Sequence, residues 1–171
     1  MKLFILVTRL LMGGLFFGHG AQKLFGWFGG FGPDGTGGYL ESLGIKPGRQ
    51  HAIAAGATEA GAGALLAVGL ATPLAAAGIT AVMTTAIRTA HQPTPWVAEN
   101  GWEHPATVIA AVLAIVEIGP GPLSLDHALG RERSGTGWAL AAALAGVGGS
   151  ALVLRDWERP APAPESGDEA S

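Results

Sequence analysis

Residues Leu3 to Leu24 read LFILVTRLLMGGLFFGHGAQKL, an oily run that nevertheless holds Arg9, His19, Gln22 and Lys23. As a helix it reaches roughly 33 Å at about 1.5 Å per residue, slightly more than the ~30 Å hydrocarbon core of a bilayer. An arginine at membrane depth costs ~2.5 kcal/mol or more unless it snorkels or finds a partner. A chain that begins this way needs a membrane as solvent and acids at matching depths further along.

The remaining composition agrees. Only 13% of the 171 residues are charged and 49% are hydrophobic, where a soluble domain carries ~25% charged residues. The formal net charge is −3. No basic run or arginine-rich arm is present, which argues against nucleic-acid binding. The lack of cysteine excludes disulfides, thiolate catalysis and cysteine-ligated metals. Any redox chemistry must then come from a bound cofactor or a partner. A cleaved signal peptide is the competing reading of the opening, given Lys2, the apolar run, Gly18 and Gly20. The arginine inside that run and the spans that follow favour a retained helix.

Along the chain, GWFGGFGPDGTGGYLESLGIKPGR forms a glycine-rich loop whose Trp27, Phe28, Phe31 and Tyr39 suit the headgroup level. Its GxGxxG at Gly30, Gly32 and Gly35 follows a membrane helix rather than a strand, so it is not read as a nucleotide site. Thr36 to Gly44 is expected to form a short interfacial helix. A second span covers His51 to Leu70 and holds one interior acid, Glu59, on one face with Gly56 and Gly63. A third covers Leu74 to about His91, with Thr84, Thr85 and Arg88 near its end. The loop 91–104 carries two tryptophans, and a fourth, shorter span runs from Glu103 to about Ile118. Thr136 to Leu154 is a fifth apolar run. The tail from 158 onward is proline-rich and acidic, and disorder is expected there.

With short loops, successive spans alternate direction, so sequence position becomes depth. On the end opposite the N-terminus, Lys23, Glu59, Arg88 and Glu103 fall at similar depths, with His19, His51, His91 and His104 nearby. Near the N-terminal end lie Arg9 and Glu117. Fourteen residues separate Arg9 from Lys23 and also Glu103 from Glu117. The expectation is a structural ion pair Arg9–Glu117 at one end. At the other, a candidate polar pocket of His19, Lys23, Glu59, Arg88 and Glu103 can hold a quinone headgroup, an anion or a proton, or serve only as buried ion pairs. No metal site is assigned, and no cofactor motif is evident.

The segments RLLMGGLFFGHGAQKLFGWFGG, GTGGYLESLGI, ATEAGAGALLAVGLATP, NGWEHPATV and GPGPLSLD occur in an order and spacing that resemble DoxX-type membrane proteins. The resemblance implies an all-α integral membrane bundle with a four-helix core, here followed by an additional transmembrane helix. The matching segments run from Arg9 to about Asp126, which sets a DoxX-like bundle at 1–130; the fifth apolar run departs from the four-helix pattern as an additional helix at 131–157, with the tail at 158–171. The resemblance carries the family's charged positions onto Arg9, Lys23, Glu59 and Glu103, and its terminal motif onto Gly119, Gly121, Ser124 and Asp126. It implies a multi-pass plasma-membrane protein with a cytoplasmic N-terminus, surrounded by membrane lipid. The function expected is a membrane subunit of a quinone-linked oxidoreductase system, with a quinone as its ligand. The alternatives are a non-catalytic scaffold for a soluble redox-enzyme partner, with Gly14 and Gly18 as a packing pair, and, ranked last, a small-molecule transporter. No catalytic residue is assigned.

Overall fold

A computed structural model of the chain describes residues 3–157, so the expected disorder of 158–171 lies outside the described residues. The helices are α1 (Leu3–Phe25), α2 (Gly32–Ser42), α3 (Gly48–Val68), α4 (Thr72–Thr89), α5 (Glu103–Ile118), α6 (Leu125–Ala128) and α7 (Thr136–Val153). Of these, α1, α3 and α7 are long and apolar enough to cross a membrane. The surface agrees with a lipid solvent: Phe4, Leu11 and Leu15 of α1 and Leu140, Leu144 and Leu152 of α7 all point outward, and a helix satisfies its own backbone in hydrocarbon.

The contact between α1 and α3 is set by glycine. A Cβ on Gly13 would fall within 3.0 Å of Gly63 O and Ala67 N, and one on Gly20 would collide with Gly56 O and Ala60 N. Gly56 and Gly63 meet α1 in the same way, through Leu24 and Phe17. Small residues thus bring the two backbones together, the usual device where lipid supplies no hydrophobic drive between helices. Gly14 and Gly18, the pair expected to pack, have open space where a side chain would be. They are one position and two positions round the helix from the seam of Arg9, Gly13, Phe16 and Gly20, which is the buried face.

Next to this pair stands α4, which packs on α3, α5 and α7. Ala75, Ala76 and Ile79 of α4 join Leu66, Val112, Val116, Ala139 and Ala142 in one core. Helix α7 lies against α4 where Gly146 meets Thr80 and the carbonyl of Ala77, and Thr85 Oγ1 donates to Ser150 Oγ at 3.0 Å. Its far end is tied back to the α2–α3 loop by Trp157 Nε1 donating to Leu43 O at 2.7 Å.

Helix α2 begins earlier than Thr36. Pro33 and Asp34 occupy its first turn, where proline's missing N–H is no loss and a carboxylate faces the positive end of the helix dipole. Asp34 also accepts from Arg49 Nε at 2.8 Å, and Glu41 Oε1 accepts from Gly48 N at 2.9 Å, so α2 is clamped to the start of α3.

Candidate functional site

At the end opposite the N-terminus, Lys23 Nζ of α1 meets Glu59 Oε2 of α3 at 2.6 Å. The Glu59 side chain is 4% exposed and that of Lys23 28%. The glycines explain how a carboxylate comes to lie there: Gly20 and Gly56 let the helices approach, and a Cβ at Gly56 would crowd Lys23 itself. The acid is buried at the seam and the base reaches it from the rim. One N–H of the ammonium is spent on Glu59, and the partly exposed side of Lys23 leaves room for another acceptor.

Two of the other residues expected beside this pair, His19 and Glu103, are held by hydrogen bonds elsewhere. His19 is exposed and its Nδ1 meets Gln22 Oε1 at 3.0 Å, while Gln22 Nε2 donates to Phe28 O. Glu103 accepts from Val97 N at 2.9 Å and closes the 91–103 loop. That loop is further held by His91 against Asn100 O and by Asn100 Nδ2 donating to Ala90 O. The physical reason lies in the packing: α5 sits on α4 and α7, whereas α1 sits on α3 and α2. Equal depth therefore does not bring Glu103 to Lys23. Arg88 stands in the last turn of α4, at the same end of the molecule. Among the described residues no group of three or more histidine, aspartate or glutamate side chains is placed to hold a metal ion.

The expected ion pair Arg9–Glu117 is corrected by the structure. Arg9 is 1% exposed, and its guanidinium donates to main-chain carbonyls: Leu66 O at 3.2 Å, Ala67 O and Leu123 O at 3.0 Å each, and Pro120 O. Two of these belong to the last turn of α3, at the negative end of the helix dipole, where Ala67 O has lost its helical donor and Leu66 O accepts also from the C-cap Gly69 N. The other two belong to the GPGPLSLD turn. Glu117 is exposed and accepts from Thr136 Oγ1 at 2.8 Å, at the start of α7.

The acid whose charge reaches Arg9 is Asp126. Its carboxylate accepts from Ala71 N, Thr72 N and Thr72 Oγ1 at 2.8 to 3.0 Å, which caps the start of α4. Asp126 N donates to Gly69 O, and Ser124 Oγ donates to Gly121 O and accepts from His127 N. Gly69 has φ +67, and a side chain there would strike Ser124 and the Arg9 guanidinium. A cation at one helix's C-terminus and an anion at the next helix's N-terminus thus share one buried node, each matched to its dipole. Pairing charges by depth misses this arrangement because its partners are backbone groups. The available signal was the α3 C-terminus itself, a helix end whose carbonyls run short of helical donors one helix away from Arg9.

A family model for DoxX matches residues 4–92, from α1 to just past α4. The chain belongs to the DoxX family. Neither a curated protein nor a solved structure matches it. Within the DoxX match lie Arg9, Lys23 and Glu59, together with Gly69 and Thr72 of the buried node. Glu103, the GPGPLSLD turn and α7 lie beyond it. The DoxX region therefore supplies the α1–α3 seam, Arg9 itself and two of its four acceptor carbonyls, and the following segment supplies the other two together with Asp126.

Proposed function

We propose that this DoxX-family membrane protein is a multi-pass subunit of a quinone-linked redox system in the plasma membrane, with its N-terminus in the cytoplasm. The 1–130 region forms the bundle and 131–157 adds a further crossing. The observation that carries the reading is the Lys23–Glu59 pair, a 2.6 Å contact with a buried acid and an accessible base. Ionisable groups at membrane depth are expensive and mark functional sites by default. A quinone carbonyl is an acceptor that the open side of Lys23 can hold. Reduction of a quinone to a quinol takes two electrons, supplied on this reading by a soluble partner enzyme, and two protons, one of which the pair can relay.

The test is quinone retained by the full-length protein after purification from its membrane, extracted and separated by chromatography. Wild type should retain quinone, and Lys23→Met and Glu59→Gln should retain little. Wild-type protein without quinone, or equal retention by both variants, would refute the reading.

A second reading, a non-catalytic scaffold that anchors soluble redox enzymes, is favoured by the local hydrogen bonds that close His19 and Glu103 away from the pair. Redox enzymes captured equally by wild type and Glu59→Gln would support the scaffold over the quinone subunit.

A further inference from the structure

A cleft of about 440 Å³ opens between the first halves of α4 and α7, at the end of the molecule that holds the Arg9 node. Its walls are apolar, with Leu70 and Leu74 on one side and Ala142 and Ala145 on the other. Its rim is cationic, formed by Arg131 and Arg133. The volume is that of an ordinary small-ligand site, ~300–1,000 Å³.

The rim owes its charge to the local backbone. Residues 131–134 run without helix between α6 and α7, and alternate side chains of an extended segment point to opposite sides. Arg131 and Arg133 both line the cleft, while Glu132 between them turns away and meets His127 Nδ1 at 3.1 Å. The acid that does line the cleft, Asp126, has its carboxylate occupied by Ala71 and Thr72. Among the described residues neither arginine forms an ion pair with a carboxylate. The Arg133 guanidinium lies over the Trp138 ring at 5.0 Å. That stacking holds the charge at the level where tryptophan favours the membrane surface.

From Trp138 to Ala145 the wall descends about 10 Å along α7. Leu74 is 65% exposed, and Ala141 and Ala145 also face outward, so the cleft is open sideways to lipid rather than closed by protein. Two cations at the headgroup level above an apolar furrow of this kind match one class of molecule.

We propose that the α4–α7 cleft is a binding site for an anionic phospholipid. Its phosphate lies between Arg131 and Arg133, and the first part of an acyl chain runs along Leu74, Ala142 and Ala145. Charge at the rim selects the headgroup, and the furrow retains the chain. A neutral lipid meets the furrow but leaves both guanidinium groups without an anion.

The experiment uses the full-length protein in detergent, titrated separately with phosphatidylglycerol, phosphatidylcholine and inorganic phosphate. Bound lipid is counted by native mass spectrometry, and the thermal midpoint is followed in parallel. Wild type should bind phosphatidylglycerol in preference to phosphatidylcholine and gain thermal stability from it. In Arg131→Gln/Arg133→Gln the affinity for phosphatidylglycerol should fall on the order of 30-fold, about fivefold per arginine lost. Ala145→Phe, which fills the furrow from its exposed wall, should weaken both lipids, and Arg155→Gln at the opposite end should change neither. Equal binding of the two lipids by wild type would overturn the proposal, as would a preference that survives loss of both arginines. Inorganic phosphate that stabilises as well as phosphatidylglycerol, with no effect of Ala145→Phe, would overturn it by revealing a bare anion site.

Discussion

Replacing Arg9 by methionine tests the buried node most directly. The substitution keeps most of the side chain's apolar length and removes every donor. Of the four carbonyls that Arg9 serves, Leu66 O retains a donor in Gly69 N at 3.1 Å. Ala67, Pro120 and Leu123 are left to find new partners in a site where the arginine is 1% exposed. A buried polar group stripped of its partner costs about 1–3 kcal/mol, and Asp126 would also lose the positive charge near it. Allowing for relaxation of the GPGPLSLD turn, the loss should be on the order of 3–5 kcal/mol, a large part of the ~5–15 kcal/mol of a typical domain. Glu117→Gln should change stability by about 0.5 kcal/mol or less, because the exposed side chain can still accept from Thr136. Arg9→Lys should fall between the two, since an ammonium cannot reproduce the fork that reaches two separate segments. The assay is reversible unfolding in mixed micelles by titration with a denaturing detergent. A Glu117→Gln variant as unstable as Arg9→Met would restore the ion pair across the bundle and refute the carbonyl node.

Further expectations follow from the same contacts. Lys23→Met should destabilise by about 3–5 kcal/mol because it strands a buried carboxylate, and adding Glu59→Gln should recover much of that loss; the same micelle titration, run as a double-mutant cycle, measures the coupling. Gly20→Val should separate α1 from α3 and lower the thermal midpoint sharply, whereas Gly14→Val should leave it nearly unchanged, its side chain entering open space. Asp126→Ala should cost about 1–3 kcal/mol through loss of the α4 cap, and hydrogen exchange at Ala71 and Thr72 should accelerate locally. Trp157→Phe removes the indole hydrogen bond to Leu43 O and should cost at least about 1 kcal/mol in the same micelle titration.

Length and polarity along the chain were enough to specify the long apolar helices α1, α3 and α7 and a lipid solvent for them. The runs at Leu3, His51 and Thr136 are each bounded by glycine, proline or charge, and the apolar periodicity has no other economical use than helices in lipid. The face formed by Gly56, Glu59 and Gly63 was likewise legible, because helical geometry alone puts those residues together. The Lys23–Glu59 contact followed from depth plus adjacency of the first two spans.

Adjacency of the remaining helices was not written in the same way. Which helix stands next to which depends on how α4 packs, since Ala75, Ala76 and Ile79 form its buried surface and gather α3, α5 and α7 around it. That choice removed Glu103 from the pocket and Glu117 from Arg9. Depth is a one-dimensional quantity, and a bundle is arranged in two dimensions across the membrane.

By itself, then, the sequence determined that Arg9 must be satisfied at membrane depth, because an unpaired guanidinium there is too costly to keep. Only the tertiary structure decided that the satisfaction comes from carbonyls of α3 and the GPGPLSLD turn, and that Asp126 supplies the nearby charge. Backbone acceptors carry no residue-specific mark along the chain. They become visible as partners only when a helix end and a turn are folded against the same side chain.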